Sequence, residues 1–366
     1  MDHAISRQIA EARRALFACA ELSGQENHTR DYIKSFLRSH TSLLVADQGS
    51  WLYAKHDEGA KQTVVVRADH DAVPTPGGPR HLCGHNGHTA SLLGLALLLE
   101  GKTLGKNVIL LFQHAEETGA GAADCCGLFS LEGLQRENTR IIGCHNIPGE
   151  ALGTVLFRRG TFACASCGLD VSLYGSPTHA AYPENGVNPS AALARLALEL
   201  PAMAAQVSEQ HDCMTLATVV GMRSGERAFG VAAAEASLWV TLRAESSAGF
   251  AELNARADEA VRSAAAKEGL RYAISREDVF PATENNDALQ DALEAICKER
   301  DIPYRYLDVP FRWSEDFGHY GQYVPACFFG IGSGLQTPPL HTENYSYPDE
   351  LAPITAELFF RFLLAL

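Results

Sequence analysis

Three short runs in the first 145 residues are apolar at every position instead of at alternate ones: Val64-Val65-Val66, Val108-Ile109-Leu110-Leu111 and Ile141-Ile142-Gly143-Cys144. A strand with one wet face alternates polar and apolar residues. A strand that is apolar throughout is covered on both faces, which is the situation of parallel strands flanked by helices. Residues 5–20, 29–38, 88–100 and 120–129 carry helical spacing, and 43–46 and 51–55 read as short strands. The alternation predicts an α/β domain whose sheet has parallel character. Ligands of open α/β sheets collect at the carboxyl ends of the strands, so the residues just past each run are the first place to look for chemistry. The first run leads into Asp69 and Asp71, the second into Gln113-His114-Ala115-Glu116-Glu117, and the third into His145. Between the first run and the next helix lies His81-Leu82-Cys83-Gly84-His85-Asn86-Gly87-His88, three imidazoles and a thiol in eight residues.

The pattern changes after Gly160. Strands are expected at 169–174, 214–220, 235–243 and 271–275, with helices at 189–205 and 248–269, the first of them capped by Asn188 with Pro189 at its first position. The order β-α-β-β-α-β is the ferredoxin-like arrangement. The chain then returns to the first pattern with a helix at 287–300, a strand at 326–331 and a helix at 351–366. Two polar segments lie between them, Ser314-Glu315-Asp316-Phe317 and Leu340-His341-Thr342-Glu343. The expected organisation is a discontinuous α/β domain over residues 1–162 and 277–366, interrupted by an inserted domain over residues 163–276. A chain of 366 residues, 46% hydrophobic, is long and apolar enough for two cores.

A formal net charge of -14 argues against a nucleic-acid partner, which needs a basic face. No apolar run reaches the length of a membrane span, and the N-terminus lacks a signal-peptide core, so a cytoplasmic protein is expected. The ten cysteines then read as reduced, mostly buried small residues. Cys125 and Cys126 are adjacent and do not suit each other as disulfide partners, and the lone Cys164-Ala165-Ser166-Cys167 reads as core packing.

Cys83, His85, Glu117, His145 and His341 stand out as candidate metal ligands, scattered through the sequence as ligands of catalytic sites are. Thiolate and imidazole favour borderline-soft ions. Five protein ligands exceed what one catalytic zinc uses and suit two ions. Zinc and manganese lead as candidates, ahead of cobalt and nickel. Glu116, next to the ligand Glu117, is the carboxylate placed to take a proton from water. Arg243, at the end of an inserted-domain strand, can pair a substrate carboxylate or a surface acid. These residues point to hydrolysis by metal-activated water. Two alternatives are a hydrolase with Cys83 as nucleophile, which leaves Glu117, His145 and His341 without roles, and a non-catalytic metal-dependent binding protein on the same scaffold.

The sequence resembles the M20 metallopeptidase superfamily in its amidohydrolase branch, which includes hippurate hydrolases, N-acyl-amino-acid aminoacylases and auxin-conjugate hydrolases. The resemblance is carried by Arg67-Ala68-Asp69-His70-Asp71-Ala72-Val73-Pro74, Cys83-Gly84-His85, Gln113 through Glu117 and Gly143-Cys144-His145. It continues through His179-Ala180-Ala181 with Pro183, Glu315-Asp316-Phe317 and Leu340-His341. It implies a di-metal catalytic domain with an inserted lid that forms a homodimer, cleaving the amide bond of a small molecule such as an N-acyl amino acid or a small dipeptide-like substrate. By the same resemblance Cys83, His85, Glu117, His145 and His341 hold the metals and Glu116 is general base and then acid. His179 of the lid reaches substrate, often in the neighbouring subunit's site, and Asp71 orients a histidine ligand. The chain departs from the family at Asn86 (usually Asp), His70 (usually Met), His114 (usually Pro) and Gly230-Val231-Ala232-Ala233 (usually Asn-Val-Ile-Pro). It also has a short loop from Val73 to His81. These departures touch the pocket more than the ligands.

Overall fold

The computed structural model describes residues 2–366. Its chain divides into two compact units, Met1–Phe162 with Thr283–Pro310 and Asp316–Leu366, and Ala163–Ala282 with Phe311–Glu315. The second boundary falls at Ala282 instead of 276, because the last inserted strand runs over Arg271–Phe280 and does not stop at 275.

The first unit is built on an eight-stranded mixed sheet in the order Leu44–Asp47, Leu52–His56, Asn107–Gln113, Thr63–Asp69, Thr139–Pro148, Ala326–Gly334, Val155–Phe157, Tyr304–Tyr306. Its four central strands are mutually parallel. Thr63–Asp69 and Asn107–Gln113 are buried at every residue, as their unbroken apolar runs require. Asp69 is level with Gln113 in the parallel register, so the segments beyond both strands leave the sheet side by side. The strand expected at 140–144 extends over Thr139–Pro148. Its pairing with Ala326–Gly334 continues to the end, which places His145 inside the strand opposite Gly330.

The helix His85–Leu99 begins three residues before the expected 88 and is buried on all sides, with only Leu97 and Leu98 short of full burial. A helix of that kind must be covered all round. It packs against the sheet and against the helices His3–Ala18 and Leu351–Ala365. Gly94 permits the approach: a Cβ there would sit 2.5 Å from Ile9 Cδ1 and 2.9 Å from Ala356 Cβ. The helix expected at 120–129 is two short ones, Gly121–Cys125 and Gly127–Leu131.

The second unit is a four-stranded antiparallel sheet in the order Thr215–Ser224, Glu235–Ala244, Ala165–Tyr174, Arg271–Phe280. The helices Ser190–His211 and Ser247–Glu268 pack on it around Leu169, Val171, Leu196, Leu238, Val240 and Leu253. The chain order is the expected β-α-β-β-α-β. Asn188 accepts from Ser190 N (2.9 Å) at the start of the first helix, which runs past Pro201 to His211. On the edge strand Val220 and Met222 are 65% and 55% exposed, and Trp239 on the next strand is 40% exposed, so this sheet keeps apolar side chains in solvent.

Candidate metal centre

The two central strand ends and the first turn of His85–Leu99 bring the expected donors together. The ligand atoms of Cys83, His85 and His145 lie within 4.8 Å of one another, and so do those of Cys83, Glu117 and His341. Cys83 therefore belongs to both groups. Its Sγ is 3.4 Å from His145 Nε2, while Glu117 Oε1 is 3.7 Å from His85 Nε2 and 3.5 Å from His341 Nε2. Glu116 Oε2 lies 3.8 Å from the same His85 nitrogen.

The backbone that sets these positions is unusual at three points. Gly84, between two of the donors, has φ +104°, and a Cβ on it would meet Asn146 Oδ1 at 2.3 Å. Ala115 and His341 are among the few non-glycine residues with positive φ, at 47° and 61°. Such conformations persist where surrounding contacts hold them and gather at functional sites. Ala115 N donates to the buried Glu26 carboxylate (2.9 Å), and His341 N donates to Leu82 O (2.8 Å).

Two of the candidate imidazoles are oriented from behind. His85 Nδ1 is 2.8 Å from Asp71 Oδ1, and Asp71 Oδ2 accepts from Ser23 Oγ (2.8 Å) and from Glu117 N (3.0 Å). Asp71 thus fixes two of the candidate ligands at once. His145 Nδ1 is 2.8 Å from Asn146 O, which turns Nε2 toward Cys83. His88, one turn along the helix from His85, lies 2.6 Å from Asp69 Oδ1 and 2.6 Å from Asn146 Oδ1, and Asn146 in turn donates to the Tyr345 hydroxyl (2.7 Å). It braces the site from below.

The motif around Asp316 is placed as well. Arg67 donates to Asp69 (2.7 Å), Asp316 (2.8 Å) and Gln113 (2.7 Å), all of them buried. Asp316 also accepts from Gln113 (2.8 Å) and Ala122 N (2.8 Å).

The electrostatics fit a cation. Burial works against a charge on His85, yet Asp69, Asp71 and Glu117 outweigh it and push the imidazole up to about 10. Burial, and after it Glu117, Glu116 and Asp69, pushes the Cys83 thiol well above its ordinary range. A site that grips protons on a thiol and an imidazole beside four carboxylates has an excess of negative charge that divalent ions would compensate by displacing those protons. His85 Nε2 and Glu117 Oε1 are buried without a hydrogen-bond partner. Buried polar atoms are normally satisfied, and both of these are metal donors.

The remaining expected residues lie elsewhere. His179, in the second unit, is exposed, pairs in register with Val231, and accepts from Ala181 N (3.1 Å) through Nδ1. Gly230 O accepts from Ala180 N (3.0 Å), so the Gly230–Ala233 departure sits beside His179. Arg243 Nη1 donates to Ser314 Oγ (2.7 Å) and to the Arg312 carbonyl. Among the departures in the first unit, Asn86 is buried and donates to Arg13 O (3.4 Å), His114 Nε2 lies 3.6 Å from Asp124 Oδ2, and His70 is fully buried.

Sequence reasoning missed Glu26, Ser23, Asn146 and Tyr345. All four act through contacts between distant parts of the chain, 48 or more residues apart, and no local pattern marks them.

The chain is similar to known proteins in sequence and in fold. The chain is 29% identical to IAA-amino acid hydrolase ILR1-like 4 of Arabidopsis thaliana, covering 84% of this chain and 70% of that protein. It is 28% identical to N-acetyl-L-cysteine deacetylase of Bacillus subtilis strain 168, covering 90% and 81%. Its fold is similar to the crystal structure of the Bacillus subtilis YXEP protein, a dinuclear metal binding peptidase, with a TM-score of 0.82 at 22% identity over 100% of this chain and 98% of the other. The profile of peptidase family M20/M25/M40 matches residues 65–365, from the first apolar run to the closing helix, and the chain belongs to that family.

Proposed function

We propose that the protein is a metal-dependent amidohydrolase that cleaves the amide bond of N-acyl amino acids or small dipeptide-like substrates. The observation that carries this reading is the convergence of Cys83, His85, Glu117, His145 and His341, with Glu116 beside them and two donor atoms buried without a partner. The relatives named for hydrolysis of amino-acid conjugates and for deacetylation support the amide class.

Cys83, His85 and His145 would hold one divalent ion, and Glu117 and His341, with Cys83 shared, a second; zinc or manganese suits a set of one thiolate, three imidazoles and one carboxylate. When bound, such ions polarise an amide carbonyl and lower the pKa of water. Glu116 stands within 4 Å of His85 Nε2, where it can take a proton from the attacking water and deliver it to the departing amine nitrogen. That proton transfer makes the amine a competent leaving group. Asp71 keeps His85 and the Glu117 backbone in place during the transfer.

The cysteine-nucleophile alternative needs a thiolate at Cys83, and burial among carboxylates opposes one. The inserted unit is proposed to act as a lid and to pair two subunits, supported by the apolar side chains it exposes on its sheet, with His179 acting on substrate. Arg243 is proposed to bind substrate with the guanidinium nitrogens that Ser314 and Arg312 do not take. A cytoplasmic location suits ten cysteines that are all free, and no helix among the described residues is long and apolar enough to cross a membrane.

The test is to strip the protein with a chelator, reload it with Zn or Mn, count bound ions and assay a panel of N-acyl amino acids. Two ions per chain, with activity lost on stripping and regained on loading, are expected. Full activity in the stripped protein, or at most one ion in the loaded protein, would refute the reading.

A further inference from the structure

A cavity of about 910 Å³ opens beside the candidate metal centre, and Glu117 and His341 form part of its wall. Most of its remaining lining is apolar, including Leu22, Val73, Pro74 and Leu82, and the one arginine among the lining residues is Arg80. We propose that Arg80 reads a carboxylate carried by the amide substrate and so sets the substrate class of this pocket. This rests on the amidohydrolase reading and adds to it the residue that selects the anion.

Three observations support the assignment. The first is that the guanidinium has no acidic partner among the described residues. Other arginines, among them Arg13, Arg67, Arg276 and Arg305, each pair with a carboxylate. The one hydrogen bond of the Arg80 side chain goes from Nη2 to a main-chain oxygen, that of Glu343, at 3.1 Å. It takes this carbonyl, and Glu343 is itself a lining residue of the cavity. The bond anchors one corner of the fork, and the other N–H groups remain for a planar anion.

The second observation is rigidity. Arg80 and Val73 exchange two backbone hydrogen bonds, of 3.0 and 3.1 Å, which close the base of the loop. Within the loop Thr75 and Gly78 exchange bonds of 3.2 and 3.0 Å, and Thr75 Oγ1 donates to Gly78 O at 2.6 Å. Pro74, Pro76 and Pro79 fix three of the φ angles. A loop held this way has lost most of its freedom before a ligand arrives, and preorganisation of this kind lowers the cost of binding.

The third is size. The cavity falls within the range of small-molecule sites and is large enough to hold both the amide and an anionic group some distance from it.

The carboxylate could belong to the amine half, as in an N-acyl amino acid, or to the acyl half, as in the amide of a dicarboxylic acid. Three substrates separate these sources: N-acetylphenylalanine, with its carboxylate on the amine half; N-succinylphenethylamine, with its carboxylate on the acyl half; and N-acetylphenylalaninamide, with none. Metal-loaded wild type, Arg80→Ala and Arg80→Lys are compared on each. Arg80→Ala is expected to lose roughly tenfold to a hundredfold more kcat/KM on one of the two carboxylate substrates than on the neutral one, chiefly through KM, with partial recovery in Arg80→Lys. The substrate that suffers identifies the half that Arg80 reads. An equal loss on all three, or no loss on any, overturns the role of Arg80 and leaves the amidohydrolase reading standing. A wild type that carries its metals and hydrolyses none of the three overturns both.

Discussion

Replacing His70 with Met should make the protein more resistant to acid. His70 is fully buried, and neither ring nitrogen has a hydrogen-bond partner. Burial pulls its pKa down to about 3; Asp71 and Asp69 pull the other way, while His114 and His81 reinforce the depression. In the unfolded chain the same imidazole titrates near 6.5 or so. Between those two values the unfolded state binds a proton that the folded state refuses, so the contribution of His70 to stability is intact above about pH 6.5 and falls as the pH drops toward about 3. At pH 5 the unfolded imidazole is almost fully protonated and the folded one almost fully neutral. The resulting penalty is about 2 kcal/mol, and at pH 7.5 it is close to zero. Met has a similar volume, no proton to bind and no polar atom that requires a partner. The assay is urea unfolding of wild type and His70→Met, monitored by circular dichroism at pH 7.5 and pH 5.0 with a chelator present. The metal ligands then titrate alike in both proteins and cancel in the difference. The stability difference should move by about 2 kcal/mol in favour of the variant on going to pH 5.0. A difference that stays within about 0.5 kcal/mol at the two pH values would mean that the folded protein solvates or pairs His70 on protonation, and the reasoning would fail.

Three further outcomes are expected. Glu116→Gln should keep two metals and lose roughly 10²–10⁴-fold in kcat, whereas Glu117→Gln should release metal, as measured by elemental analysis after dialysis; the opposite pattern would exchange their roles. Gly84→Ala forces a side chain into φ +104° and sets its Cβ 2.3 Å from Asn146 Oδ1. It should cost at least about 1–2 kcal/mol of stability and weaken metal binding, and a variant with wild-type metal content and unfolding midpoint would contradict the account of that turn. Mixing inactive His179→Ala with inactive Glu116→Gln under subunit exchange should restore some activity if His179 serves the partner's site, and exchange without recovery would remove that role.

The sequence by itself determined the parallel character of the central sheet and marked the candidate ligands. Runs such as Val64-Val65-Val66 admit burial on both faces and little else, so parallel strands and the positions of Asp69, Asp71 and Glu117 at or just beyond their ends come from local composition. The β-α-β-β-α-β order of the inserted unit was legible for the same reason, since alternation and helical spacing are properties of neighbouring residues. Boundaries were less legible. The extension of the strand to Pro148 depends on a partner strand nearly two hundred residues away in sequence, and the early start of the helix at His85 depends on the left-handed turn at Gly84.

Tertiary structure alone decided how the donors are held. Glu26 reaches Ala115 N, Ser23 reaches Asp71, and Tyr345 reaches Asn146, each across a long stretch of chain. It alone decided that His70 is a neutral core histidine and that Arg80, at the wall of a cavity, stands without an acidic partner among the described residues. Those properties are differences in solvation and distance, and they exist only once remote segments have been packed together.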